Sequence, residues 1–168
     1  MNITILGSSC AFHYPRPGCS CPSCVDPIFQ KRKHSSIMVG RDIMIDCGKD
    51  WIKIPNSVKH IILSHGHSDH ASGIKWHLDK NLYMTALTRK VVLQNRILPE
   101  SKEVNIIEYG KKYEISDVKF QFFPVLHSSI APASLIRFES GLIYCSDVRD
   151  FLQKSVAFSS AKVYIGDG

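Results

Sequence analysis

The chain has no run of about 18 consecutive apolar residues, so no segment reads as a membrane span. Its start, Met1-Asn2-Ile3-Thr4-Ile5-Leu6-Gly7, lacks the basic stretch and long apolar core of a secretory leader and reads as a first strand. No Gly-x-x-x-x-Gly-Lys run and no dinucleotide fingerprint occur, which leaves ATP and NAD chemistry without support. Gly7-Ser8-Ser9-Cys10 lacks the closing glycine of a nucleophile elbow and reads as a turn. There is no internal repeat, low-complexity tract or linker, and 168 residues suit one domain.

What remains is the composition of a folded chain. Hydrophobic residues at 44% against 21% charged are enough for a packed core. The formal charge of +6, with eight histidines uncounted, favours anionic partners such as phosphate esters or nucleic acid. The densest basic stretch, Gln30 to His34, reads as a solvated loop, His34 included. Six cysteines would suit a disulfide framework in a secreted protein, but Cys19, Cys21 and Cys24 crowd together and no leader precedes them. Clustered thiols of this kind point to metal in a reducing cytoplasm. Cys47 and Cys145 sit inside apolar strands and read as small buried fillers.

Residues 8–27 are rich in Ser, Pro, Gly and Cys and are expected to be irregular, held by a metal clip. Strands are expected at Ile3–Leu6, at Ser36–Val39 and Asp42–Asp46 as a hairpin, and at Val58–Leu63. Helical composition covers Ala71–Leu78, with Asp69 placed to cap it, and Ala86–Ile97, stopped before Pro99. Further strands are expected at Leu82–Thr85, Asn105–Ile107, Tyr113–Ile115 and Val118–Phe123. Ser134–Phe138 and Leu142–Cys145 read as a second hairpin, Val148–Val156 as helical and Lys162–Ile165 as a last strand. Strands in hairpins with few helices indicate mixed sheets covered by helices, an α/β arrangement.

His65, His67, Asp69 and His70 follow an apolar strand within six residues. Residues two apart in an extended segment share a side, so His65 and His67 can converge on one cation. Asp69 and His70, at the turn into a helix, can reach a second. Imidazole with carboxylate suits zinc, manganese or iron. His60 and His77 are isolated and read as surface or packing residues.

The pattern His65-Gly66-His67-Ser68-Asp69-His70 resembles the signature of the metallo-β-lactamase superfamily. Ile45-Asp46-Cys47-Gly48 looks like its earlier Asp-x-Gly segment. Phe123-Pro124-Val125-Leu126-His127 looks like the strand that delivers a third histidine, and Leu142 to Asp147 like the strand ending in a bridging aspartate. The resemblance implies an αββα sandwich. It implies that His65, His67 and His127 hold one divalent ion, zinc or manganese. Asp69 and His70 help hold a second, Asp147 bridges the two, and Asp46 orients the histidine loop. The family supplies a last ligand histidine from beyond its final strand; the sequence stops at Gly168 before one, and reads as a C-terminally short version.

Cys19-Ser20-Cys21-Pro22-Ser23-Cys24, behind Gly7-Ser8-Ser9, resembles the subgroup containing the cyclic-phosphate phosphodiesterase of phosphonate breakdown and pyrroloquinoline quinone biosynthesis protein B. That implies a structural zinc on the three cysteines, with Cys10, His13 or His34 as candidate fourth ligand. The reading that follows is a hydrolase in which paired cations present hydroxide to a small or cyclic phosphodiester, with Asp69 orienting or accepting a proton from the water. Ser128 and Ser129 are candidates for bonding substrate oxygens. Alternatives are a ribonuclease Z-like nuclease, a lactone or thioester hydrolase, and a non-catalytic metal-stabilised module. Nucleic acid and a homodimer remain open as partners.

Overall fold

The computed structural model describes residues 1–9, 11–12, 15–26 and 32–166. A first strand, β1 (Ile3–Gly7), is followed by a one-turn helix, α1 (Pro22–Val25), whose proline sits where a missing N–H costs nothing. Strands β2 (Ser36–Val39) and β3 (Ile43–Ile45) form the expected antiparallel hairpin, turning at Gly40 with φ of 67°. Strand β4 (His60–Ile62) lies parallel to β3. A short helix, α2 (Ser68–Ala71), and a 3-10 turn (Ser72–Trp76) lead to β5 (Asn81–Thr85). Thr85 accepts a 3.1 Å bond from the Thr88 amide and so caps α3 (Ala86–Gln94), which leads to β6 (Asn105–Ile107). These six strands form one sheet in chain order, antiparallel as far as β3 and parallel from there to β6.

The second sheet contains β7 (Lys112–Ile115), β8 (Val118–Leu126), β9 (Ala133–Phe138), β10 (Leu142–Cys145), β11 (Asp150–Phe151) and β12 (Val163–Gly166), with helix α4 (Lys154–Ala157) before the last. Its order is β11-β8-β9-β10-β12, with β7 also on β8. Strands β8 and β10 are both antiparallel to β9, so they run the same way and end at the same rim.

Strand periodicity divides the apolar residues among three layers. Ile43, Ile45 and Ile62 face Phe120, Phe122, Ile136, Phe138 and Leu142 between the sheets. Met44, Ile61, Leu63, Leu82 and Met84, on the other face of the first sheet, pack on Ala71, Ile74 and Val92 of the helical segments. Phe123, Val125, Leu135, Ile143 and Cys145 form the outer face of the second sheet against Ala157 of α4. The result is an αββα sandwich, with Cys47 and Cys145 buried as expected. Each fully buried large aliphatic contributes roughly 1.5–3 kcal/mol.

Several expectations need correction. The helix expected over Ala71–Leu78 starts earlier, as α2, and becomes a 3-10 turn at Ser72. A Cβ on Gly73 would stand 2.4 Å from the Gly48 carbonyl, so tight backbone packing sets the path of this segment. His67 is the capping residue, although its side chain makes no capping bond to the helix; Asp69 lies inside the first turn and is buried. Val148–Val156 is not one helix, because Asp150–Phe151 pairs with Val125–Leu126 as β11. His34 is fully buried, not solvated: its amide and Nδ1 both lie 2.8 Å from the Asp50 carboxylate. His77, by contrast, keeps its reading as a packing residue: it is buried, with Nε2 2.8 Å from the Trp51 carbonyl.

Candidate metal centre

The ends of β3, β4, β8 and β10 converge on one rim, and the chain leaves each through a potential ligand or its support. Past β4 come Ser64, His65 and His67; past β8, His127; past β10, Ser146 and Asp147; past β3, Asp46. Gly66 allows the histidine loop to lie against α3, since a Cβ there would meet the Val91 side chain at 2.6 Å.

His67 Nδ1 lies 3.1 Å from His65 Nε2 and 3.0 Å from His127 Nε2. Two nitrogens bound at 2.0–2.1 Å to one tetrahedral ion stand about 3.3 Å apart, so this convergence fits a single cation. Asp147 Oδ2 completes the group, 3.0 Å from His65 Nε2 and 3.5 Å from His127 Nε2. The same oxygen lies 3.4 Å from His70 Nε2, which is 3.3 Å from Asp69 Oδ2. His65, His67, His127 and Asp147 thus form one ligand-competent group, Asp69, His70 and Asp147 a second, and Asp147 belongs to both. Distant stretches of chain therefore meet as the motif order implied.

The electrostatics suit cations. Burial, then the nearby His65 and His127, lower the pKa of His67 and keep its ring neutral and able to donate a lone pair. Burial alone would raise Asp147, but the His65 hydrogen bond and the surrounding imidazoles hold it below the ordinary carboxylate value. Asp69 is likewise held well below that range, the His70 bond and charge outweighing its burial. Burial would lower His70, yet Asp46, Asp69 and Asp147 raise it to about 10. The His70 ring thus stands between Asp46 at Nδ1 and the Asp69 and Asp147 carboxylates at Nε2.

Under both groups lies Asp46, fully buried and, at φ of 60°, in the left-handed region that aspartate tolerates better than most residues. Its Oδ1 accepts from the Ser64 amide at 2.8 Å. Its Oδ2 accepts from Ser64 Oγ at 2.8 Å, His70 Nδ1 at 2.8 Å and Tyr144 Oη at 3.0 Å, with Ser146 Oγ at 3.4 Å. Ser64, Tyr144 and Ser146 were missed by sequence reasoning. The available signal is positional: Ser64 directly precedes His65, and Ser146 directly precedes Asp147.

At the thiol cluster, the sulfurs of Cys19, Cys21 and Cys24 lie within 4.8 Å of one another, and Arg16 N–H donates to Cys24 Sγ at 3.4 Å. Hydrogen bonds from Cys19 and from the Cys24 amide lower the Cys21 thiol pKa. His34, a candidate fourth ligand, does not join this group but faces Asp50. The other two candidates, Cys10 and His13, lie outside the described residues. Ser128 Oγ accepts from the Ile130 amide at 3.3 Å, an ordinary loop bond.

The family model described as "Beta-lactamase superfamily domain" matches residues 41–166, a span that includes every histidine and aspartate of the two groups. The chain belongs to the beta-lactamase superfamily. Among superfamily folds of known structure, a diphosphatase of the PhnP family superimposes with a TM-score of 0.71 at 22% identity, covering 91% of this chain and 67% of its own. Zinc-bound PqqB from Methylobacterium extorquens gives 0.77 at 18% identity, covering 100% of this chain and 73% of its own. YhfI from Bacillus subtilis, a metallo-beta-lactamase fold protein, gives 0.65 at 16%, covering 94% and 66%. No curated protein matches the sequence significantly. At these identities the likeness is one of fold, and it agrees with the sandwich described above. Among the described residues, no helix is long and apolar enough to cross a membrane.

Proposed function

We propose that the centre holds two divalent cations, zinc or manganese, and that the protein hydrolyses a small or cyclic phosphodiester. The observation that carries this reading is the position of Asp147 Oδ2, shared between the three-histidine group and the Asp69–His70 pair. Two cations sharing a carboxylate would lower the pKa of a water towards neutrality and neutralise charge on the attacked group. The side chains do the rest. His65, His67 and His127 present ring nitrogens from three directions, and the Asp46 carboxylate keeps the His70 Nδ1 proton in place. Asp69 accepts a hydrogen bond from the attacking water and fixes its direction. Held anionic by His70, it is a weak base, so orientation outweighs proton storage in its role.

A phosphodiester suits the centre because its non-bridging oxygens can meet both charges at once, and the +6 formal charge favours an anion. The PhnP-family diphosphatase is an instance of phosphoryl chemistry on this fold. The thiol cluster is proposed as a third, structural zinc site.

The test combines metal analysis with turnover of bis(p-nitrophenyl) phosphate and a panel of cyclic phosphodiesters, with zinc or manganese supplied. The reading expects two cations beyond any thiolate-bound zinc and turnover abolished by His67→Ala. A thiolate-bound zinc alone, with no turnover under either metal, would establish a non-catalytic module. Turnover confined to RNA, lactones or thioesters would leave the centre standing and overturn the substrate.

A further inference from the structure

We infer that a cavity on the outer face of the second sheet, at the end away from the metal centre, binds a phosphate-sized dianion, free or as the head of a small monoester. The inference does not depend on the centre being loaded or active. The cavity has a volume of about 190 Å³ and is lined by strand residues together with Ser159 and Ser160 of the turn that follows α4. Phe120, near the start of β8, and Gly141, just before β10, belong to it. Those strands reach the metal centre at their other ends, and at about 3.4 Å per residue His127 lies roughly 20 Å from Phe120.

The strand register explains the charge. Phe120 and Phe122 face the other sheet, so Gln121 faces outward. Lys112 on β7 and Arg137 on β9 are its direct partners across the ladder, so the three side chains stand in one row on that face. Lys119, two residues before Gln121, points the same way. Lys112, Lys119 and Arg137 thus line the cavity against one acid, Glu139. Lys119 lies 3.6 Å from Glu139 and across the ladder from Glu114. Among the described residues, neither Lys112 nor Arg137 makes an ion pair.

Protection of the open edge of β7 would account for Lys112. It does not account for Arg137, which is already fixed. Its Nη1 donates to the Val156 carbonyl and to Ser159 Oγ, at 2.6 Å each, and its Nη2 to Gln121 Oε1. The guanidinium stands 4.9 Å from the centre of the Phe123 ring. Gln121 is held in turn, donating from Nε2 to the Gly110 carbonyl at 2.9 Å. A guanidinium immobilised before binding loses little freedom when an anion arrives, and its planar fork matches phosphate oxygens. Volume and charge then choose the ligand. The cavity is smaller than the roughly 300–1,000 Å³ of sites for drug-sized molecules, so a whole nucleotide does not fit inside. Three cations against one carboxylate leave an excess that a dianion balances.

The test is a ¹H–¹⁵N titration of the protein as isolated with inorganic phosphate, with glycerol phosphate and with acetate, a monoanion, at matched ionic strength. Phosphate at millimolar concentration should move the Arg137 Nε–H and the Ser159 and Ser160 amides saturably, and acetate should not. Tighter binding of glycerol phosphate would identify a monoester as the ligand, and equal or weaker binding the free ion. Replacing both exposed lysines, Lys112→Ala with Lys119→Ala, should weaken binding about tenfold and leave the resonances of His65 and Asp147 in place. Lys112→Glu should abolish the response. An equal response to acetate overturns the inference, as does unchanged affinity in the lysine variants, or a phosphate response confined to the rim around Asp147.

Discussion

Replacing Asp46 by asparagine changes one oxygen to an amide nitrogen inside a fully buried cage of donors. Suppose the new NH₂ takes the Oδ1 position. It then confronts the Ser64 amide, leaving that pair of donors without an acceptor, at about 1–3 kcal/mol. The bonds from Ser64 Oγ, His70 Nδ1 and Tyr144 Oη survive but lose the charge. Each then drops from the charge-assisted range to the neutral one, a loss of about 1 kcal/mol apiece. The reverse flip is worse, because Oδ2 gathers more donors than Oδ1. Rotation of the two hydroxyls recovers part of this, so the net cost is about 3–5 kcal/mol, a large share of the stability of an ordinary domain. At roughly 2–4 °C per kcal/mol for a chain of this size, the melting temperature of the metal-free protein should fall by about 6–20 °C. Urea denaturation of the metal-free wild type and Asp46→Asn measures the free energy directly. A difference below about 1 kcal/mol would refute the view of Asp46 as the charged hub of the cage.

Gly48→Ala places a Cβ 2.1 Å from the Asp69 carbonyl, so the Asp69–His70 turn must move; metal stoichiometry at the centre should drop from two to one, and an unchanged two would refute the packing argument. The His70 pKa, raised from 6.5 to about 10, supplies stability to the metal-free protein that is fully present below pH 6.5 and lost as pH rises towards 10. Zinc uptake near pH 7 must therefore expel the Nε2 proton, and calorimetry in buffers of different ionisation enthalpy should show its release; buffer-independent heats would contradict this. Cys47 is buried, and burial followed by the Asp46 and Asp50 charges raises its thiol pKa well above the ordinary value. Iodoacetamide should label the exposed Cys19 and Cys21 of the native metal-free protein and leave Cys47 untouched until denaturation, as peptide mass mapping can check.

The sequence carried the site further than it carried the local structure. His65, His67, Asp69 and His70 were legible because imidazoles and a carboxylate so closely spaced at a strand end are suited to holding cations and to little else. His127 and Asp147 were legible only through the order of motifs, since a single histidine or aspartate after a strand carries little signal. Hairpins at Gly40 and Gly141 declared themselves through turn chemistry, and both glycines have positive φ. The misreadings share a cause in contacts between distant residues. Ala71–Leu78 has the composition of a helix, yet Gly73 packs on the Cys47–Gly48 backbone and α2 ends after one turn. Asp150 and Phe151 look helical until the edge of β8 offers them a ladder. His34 looked solvated among lysines because its partner, Asp50, stands sixteen residues away. Ser64, Tyr144 and Ser146 were invisible for the same reason: a hydroxyl gains meaning only once Asp46 is seen beside it.

Anomalous diffraction from crystals of the zinc-loaded protein, recorded on either side of the zinc edge, tests the central claim most directly. Two peaks should flank the Asp147 carboxylate, one within bonding distance of His65, His67 and His127 and the other beside Asp69 and His70. A zinc-saturated crystal with no peak at that rim, or with those six side chains turned away from one another, would contradict it.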